Sequence, residues 1–255
     1  MESIALSVIT VSHCDFFGLT RTIASMNSQI LSKPNSDPRL VEHIVVASGY
    51  DDEEKIALKN MVDNKNVLWI FDKDVSLYNA MNIGLNVAAG SSGFFLNGGD
   101  RLFNSFSLDI ILKSIDAGEI HLFRVMQVSD RWGYIRPGKK KIQSLLEYSH
   151  QGFVVPLDEK TPSFDENIYI NADRYWMMEC FDQYPATSHD DIVSSFTLGG
   201  ISNMPSVKTI GIRWRSNGWM RAGLELIKLL LLKTLGPERY YNFLALRKGY
   251  EKVSL

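Results

Sequence analysis

Apolar residues follow two rhythms along the first half of the chain. Short runs dense in branched and aromatic side chains, Ile4–Val11, Val41–Ala47, Val67–Phe71, Gly93–Leu96 and Ile120–Val128, predict strands. Between them, Leu19–Leu31, Glu53–Val62, Leu77–Ala89 and Ser105–Ala117 carry apolar residues at helical spacing, and Lys33-Pro34-Asn35-Ser36-Asp37-Pro38 is a breaker. Strands alternating with helices predict an α/β fold, a Rossmann-like and mainly parallel sheet with helices on both faces. No internal repeat is visible.

The second half changes rhythm. Trp132-Gly133-Tyr134 reads as the turn of a hairpin, and Arg136-Pro137-Gly138-Lys139-Lys140-Lys141 as a basic loop, either a solvated connection or a grip for phosphate. His150-Gln151-Gly152 leads into the apolar Phe153-Val154-Val155, and Tyr175, Met178 and Cys180-Phe181 suggest a packed helix with Asp173 in its first turn. A carboxylate there is favoured by the helix dipole whether or not it does chemistry. The tail holds Leu224, Leu226-Ile227, Leu229-Leu230-Leu231-Leu232 and Leu235, broken by Lys228 and Lys233, flanked by Arg213, Arg215 and Arg221, and ended by Gly236-Pro237. It is too short and too charged to span a bilayer. It fits a helix packed on the preceding domain, or an interfacial helix with Trp214 and Trp219 at headgroup level. Glu238–Val253 continues the aromatic and basic character.

Two segments carry the chemistry. Asp74 and Ser76 stand ahead of Leu77, Ala80, Met81, Gly84, Leu85 and Ala88, so polar groups fall at a helix N-terminus, an end that attracts phosphate. After Gly90-Ser91-Ser92-Gly93, the run Phe94-Phe95-Leu96 stops at Asn97-Gly98-Gly99-Asp100. A carboxylate thus falls at the C-terminal edge of a buried strand, where open α/β sheets bind ligands. Alone, such an aspartate serves equally well as a turn residue.

Together the segments resemble bacterial family 2 glycosyltransferases of the GT-A fold, especially the branch that builds O-antigen and colanic-acid-type polysaccharides, whose pattern is like D-x-G-I-Y-D-A-M-N-x-G-I followed by F-L-N-S-G-D. Tyr78, Ala80, Met81, Asn82, Gly84, Leu96, Asn97, Gly99 and Asp100 match it. Ser7-Val8-Ile9-Thr10-Val11, His150-Gln151, Ala172-Asp173 and Gly199-Gly200-Ile201-Ser202 extend the resemblance over about the first 205 residues. It implies a catalytic domain over 1–205, with a nucleotide-sugar half at 1–103 and an acceptor half at 104–205, followed by a helical region at 206–255. The implied reaction is one displacement at the anomeric carbon with inversion, from a nucleotide-sugar donor, a UDP-sugar first, to a glycan or polyprenyl-diphosphate-linked acceptor in surface polysaccharide synthesis. Asp100 would hold Mn²⁺ or Mg²⁺ and Asp173 would be the base. The donor would contact Thr10, Ser12 and His13 after the first strand, Ser48 and Tyr50 after the second, and Asp74, Tyr78, Asn82, Asn97, Gly98 and Gly99. His150 and Gln151 would border the donor and acceptor pocket.

The chain departs from that pattern twice. Where the family has an aspartate closing the second strand, Ile44-Val45-Val46-Ala47-Ser48-Gly49-Tyr50-Asp51 has Ala47, with Asp51, Asp72 or Asp74 as substitutes. Asp100 is also the single acid of its motif. A non-catalytic relative serving as a binding partner is therefore a second reading. A sugar nucleotidyltransferase is a third, disfavoured because Val11-Ser12-His13-Cys14-Asp15 lacks the glycine-rich basic loop. With 255 residues, 45% of them apolar, the chain can bury one substantial core plus an appendage. A net charge of −2 offers no footprint for nucleic acid. Two cysteines and a start without a basic, apolar leader predict a cytoplasmic protein, with the inner membrane face as a peripheral site.

Overall fold

The computed structural model describes residues 4–31, 41–62, 67–73, 76–115, 118–129, 132–136, 149–168, 171–197 and 206–254. Asp74, the Lys33–Pro38 breaker, most of the basic loop and Gly199–Ser202 lie outside them, as do the side chains of Arg213, Arg215 and Arg221. The chain divides into two compact units, Met1–Met126 with Arg136–Phe196, and Gln127–Ile135 with Thr197–Leu255.

The first unit alternates strand and helix: β1 Leu6–His13, α1 Phe16–Leu31, β2 Val41–Ser48, α2 Asp52–Asn60, β3 Val67–Asp72, α3 Leu77–Val87 and β4 Ser92–Phe95. Then follow β5 Arg101–Leu102, α4 Ser107–Ser114 and β6 Ile120–Val128, which runs on into the second unit, where β7 Trp132–Arg136 begins. After β7 the first unit resumes with a turn of 3₁₀ helix at His150–Gly152, β8 Phe153–Pro156, α5 Ala172–Gln183 and β9 Ala186–Thr197. Its strand order is β6-β8-β4-β1-β2-β3. β4, β1, β2 and β3 pair in parallel, whereas β8 runs antiparallel to β4 and β6.

The period of two explains the layering. Ile9, Val11, Ile44, Val46 and Phe95 face α3 and α5, while Leu6, Val8, Val45, Ala47, Phe94 and Leu96 face the side of α1, α2 and α4. Burial on both faces is why these strands read as continuous apolar runs. Gly84 allows α3 to lie close on β1, because a Cβ there would stand 2.4 Å from Ile9 Cγ2. Parallel pairing continues to His13 opposite Ser48, so Thr10, Ser12 and His13, expected in a loop, lie in β1.

The second unit contains the antiparallel pair β7 and β10 Glu251–Ser254, and α6 Val207–Arg247. Trp132-Gly133-Tyr134, expected as a turn, is strand. At its start, Trp132 O accepts from Ser129 N at 2.9 Å. The helix expected to end at Gly236-Pro237 resumes directly and runs to Arg247, with Gly236 in the left-handed region at φ 76°. Tyr134, Ala245 and Tyr250 form a small core, and Lys252 Nζ stands 3.6 Å from the centroid of the Trp132 ring. Among the described residues no helix is long and apolar enough to cross a membrane.

Candidate active site

The site forms at the carboxyl edge of the sheet, where β4 ends. Beyond Phe95 the chain stays on β1, with Leu96 N donating to Ile9 O at 3.0 Å and Gly98 N to Val11 O at 2.9 Å. It then turns back, Asp100 N donating to Asn97 O at 2.9 Å. Two glycines make the turn possible. A Cβ on Gly98 would stand 2.5 Å from Ser12 Oγ, and Gly99 has φ 95°. Thr22 of α1 clamps the turn: its buried hydroxyl accepts from Gly99 N at 3.0 Å and donates to Asp100 O at 2.7 Å. Nothing local in the sequence marks this threonine.

Antiparallel pairing brings the second set of residues to the same edge. β8 starts where β4 ends, with Phe94 opposite Val154 and Ser92 opposite Pro156, so the 3₁₀ turn before β8 falls beside Asn97. Asn97 Nδ2 stands 3.0 Å from His150 Nε2, and His150 Nδ1 stands 3.1 Å from Asp173 Oδ2. Gly152 lets this turn press on β6, since a Cβ there would meet Phe123 O at 2.4 Å. Gln151 is buried, and its side chain hydrogen-bonds Asp100.

Asp173 comes from the first turn of α5. That helix begins at Asn171 in the left-handed conformation, φ 68°, without a side-chain cap from Asn171 itself. The phenol of Tyr78 supplies one from α3: it accepts from Ala172 N at 3.1 Å and makes a long 3.5 Å contact to Asp173 Oδ1. Burial and the Asp173 charge push the Tyr78 phenol far up, so it stays protonated. Burial opposes ionisation of Asp173. The hydrogen bond from His150, with help from Arg174, outweighs it and holds the carboxyl below its ordinary value.

Asp100 is in the opposite condition. It is 8% exposed, its Oδ2 has no protein partner, and burial pushes its carboxyl up to about 7, the hydrogen bond of Gln151 opposing it. Asn97 Oδ1 is likewise buried without a partner. Two unsatisfied hard oxygens in one turn suit Mg²⁺ or Mn²⁺, with Asp100 as the charged ligand. Among the described residues no group of three or more His, Cys, Asp or Glu could enclose a metal alone, so further ligands would have to come from elsewhere.

The remaining predicted residues fall into two groups. Ser12 Oγ and Tyr50 OH are 2.6 Å apart, His13 Nδ1 and Ser48 Oγ 2.9 Å apart, and Asp72 is level with Ser48, all at the carboxyl ends of β1 to β3. Asp51 is committed to capping α2, accepting from Glu54 N at 2.8 Å. Ala47 is buried against α1 and α2. By contrast, Thr10 is fully buried, its hydroxyl donating to Leu96 O at 2.7 Å. Asn82 is engaged by the chain after β8, donating to Phe164 O at 3.0 Å and Glu166 Oε1 at 2.8 Å. Ser76 caps α3, its Oγ accepting from Asn79 N at 3.3 Å.

No protein-family model matches the chain. Two proteins named uncharacterized glycosyltransferases, from two strains of Mycobacterium tuberculosis, are 30% identical to it over 129 residues, 51% of this chain and 44% of each relative. The matched part thus spans less than half the length of those relatives. Among solved structures, S. aureus TarS 1-349 superposes with TM-score 0.61 at 16% identity, over 76% of this chain and 60% of that one. TarS 1-349 in complex with UDP-GlcNAc gives TM-score 0.60 at 14% identity, over 91% and 73%. The mannosyltransferase PcManGT of Pyrobaculum calidifontis, in complex with GDP-Man and Mn²⁺, gives 0.53 at 12%, over 89% and 65%. A mostly parallel sheet flanked by helices, the antiparallel β8 inserted beside β4, and these superpositions make the fold of this chain that of the GT-A glycosyltransferases.

Proposed function

We propose that this chain is an inverting glycosyltransferase that moves a sugar from a nucleoside diphosphate to a hydroxyl of a glycan or polyprenyl-diphosphate-linked acceptor in surface polysaccharide synthesis. The observation that carries the reading is the meeting of Asn97, Asp100, His150, Gln151 and Asp173 at the carboxyl edge of a GT-A sheet. Neighbours of the same fold in complex with UDP-GlcNAc and GDP-Man support a nucleotide-sugar donor.

The donor's nucleoside would lie over the ends of β1 to β3, where Ser12, Ser48 and Tyr50 offer hydroxyls and Asp72 a carboxylate. Its diphosphate would approach Asp100 and the turn of Gly98 and Gly99. A divalent cation held there by Asp100 would offset the charge of the departing diphosphate. The acceptor oxygen attacks the anomeric carbon as the bond to the diphosphate breaks, and its proton passes to Asp173. An ionised Asp173 suits that task, and its depressed pKa keeps it ionised at neutral pH.

The test is a panel of nucleotide sugars with Mn²⁺ or Mg²⁺, read by mass spectrometry for donor hydrolysis and transfer. Asp173→Asn should lower turnover by about 10² to 10⁴ with donor affinity and melting temperature nearly unchanged. Transfer at the wild-type rate would remove Asp173 from the chemistry and leave it an end-stabilising acid. A silent panel would favour a non-catalytic relative, a reading for which the buried Ala47 in place of the family's nucleoside carboxylate speaks.

A further inference from the structure

An imidazole lying between an amide nitrogen and a carboxylate has one proton arrangement that satisfies both. Asn97 Nδ2 can only donate, so His150 Nε2, 3.0 Å away, must present its lone pair. The ring proton is then on Nδ1, 3.1 Å from Asp173 Oδ2, which can only accept in its ionised form. Asp173 Oδ2 is thereby occupied, while Oδ1 has only the long contact to Tyr78. The chain Asn97–His150–Asp173 joins the turn after β4 to the first turn of α5, two elements 76 residues apart in sequence (173 − 97).

We propose that His150 is a positioning residue that sets the distance between donor and base, its Nδ1–H holding Asp173 Oδ2 so that Oδ1 meets the acceptor hydroxyl, and its Nε2 tying that carboxylate to the turn bordering the donor. The proposal rests on the glycosyltransferase reading and on Asp173 as its base. The ring does not touch the reacting atoms. Its effect lies in geometry, where a displacement of about 1 Å costs about 10² in rate.

Two measurements on the full chain decide it. Nitrogen NMR of the imidazoles should show His150 protonated at Nδ1 and bare at Nε2. A ring protonated at Nε2 overturns the proposal, and this readout requires no transfer activity. In the transfer assay His150→Ala should lower kcat by about 10²-fold with donor KM unchanged. His150→Asn, which keeps an N–H near the Nδ1 position, should recover most of the loss. In an Asp173→Asn background, His150→Ala should cause no further fall, because the partner it aims is gone. Multiplying losses, or His150→Asn as slow as His150→Ala, would overturn it. Absence of transfer from every donor would instead fail the glycosyltransferase reading, while the NMR result still decides whether the hydrogen-bonded chain exists.

Discussion

A buried imidazole makes the sheet sensitive to acid. His43 of β2 is fully enclosed, with Nε2 2.9 Å from Thr10 Oγ1. Thr10 gives its proton to Leu96 O, so His43 Nε2–H donates to Thr10, and His43 Nδ1 is left buried and bare. Protonating it would place a charge in the core, and burial lowers its pKa from 6.5 to about 4. The unfolded chain therefore takes up a proton between those values while the folded chain does not. Stability is fully present above pH 6.5 and is lost as pH falls toward 4, by about 3 kcal/mol. Urea unfolding at pH 7 and pH 4.5 should show this slope in the wild type and a shallower one in His43→Gln. Equal slopes would mean that other groups cause the acid sensitivity.

At the scale of elements, α5 is an arm held by aromatic rings. Trp176 stacks on Phe164 at 4.5 Å and meets Phe95 and Phe153 edge-on at 5.6 and 5.5 Å, with Nε1 donating to Pro162 O at 2.7 Å. It is 1% exposed and lies one turn after Asp173. Trp176→Ala should cost about 3–5 kcal/mol in denaturant unfolding. Transfer should fall even where the chain remains folded, because α5 carries the proposed base. Trp176→Phe should keep most of both. A fully active Trp176→Ala protein would show that Asp173 is positioned by its local contacts with His150 and Tyr78 alone.

On the scale of the whole molecule, the long helix of the second unit presents an exposed apolar face. On α6, Trp219, Met220, Leu224, Ile227 and Leu230 are all exposed, Trp219 by 73%, and fall on one half of the helix. Residues 207–233 contain six basic side chains and one acidic, Glu225, which pairs with Lys228 at 2.7 Å. An apolar face with that charge excess suits the anionic surface where a lipid-linked acceptor would lie, each basic residue contributing about 1 kcal/mol. The full chain should co-sediment with phosphatidylserine-containing vesicles, less so at high salt or with neutral vesicles. Trp219→Glu with Ile227→Glu should abolish it without changing the melting temperature. Undiminished binding by that double variant would reject α6 as the contact.

The parts of this fold legible in the sequence are those whose cause is local. Short runs dense in branched and aromatic side chains place β1 to β4 and β6, a period of 3.6 places α1 to α4, and the abrupt stop at Asn97-Gly98-Gly99-Asp100 marks a carboxylate at the sheet edge, because these signals rest on neighbouring side chains. β9 escaped notice because Thr187, Ser188, His189, Asp190 and Asp191 lack an apolar rhythm and are held as strand by pairing with distant partners. Gly236-Pro237 misled for the opposite reason, a local breaker inside a helix that resumes on its far side. His150, Asp173 and Tyr78 were nameable from a resemblance, yet their contacts were not: His150 lies 53 residues from Asn97 and 23 from Asp173, and Tyr78 lies 94 from the Ala172 amide it caps. Thr22 was not nameable at all. What joins these groups is the insertion of β8 antiparallel beside β4, and strand order is decided by packing two faces of a closed core rather than by any stretch of adjacent residues.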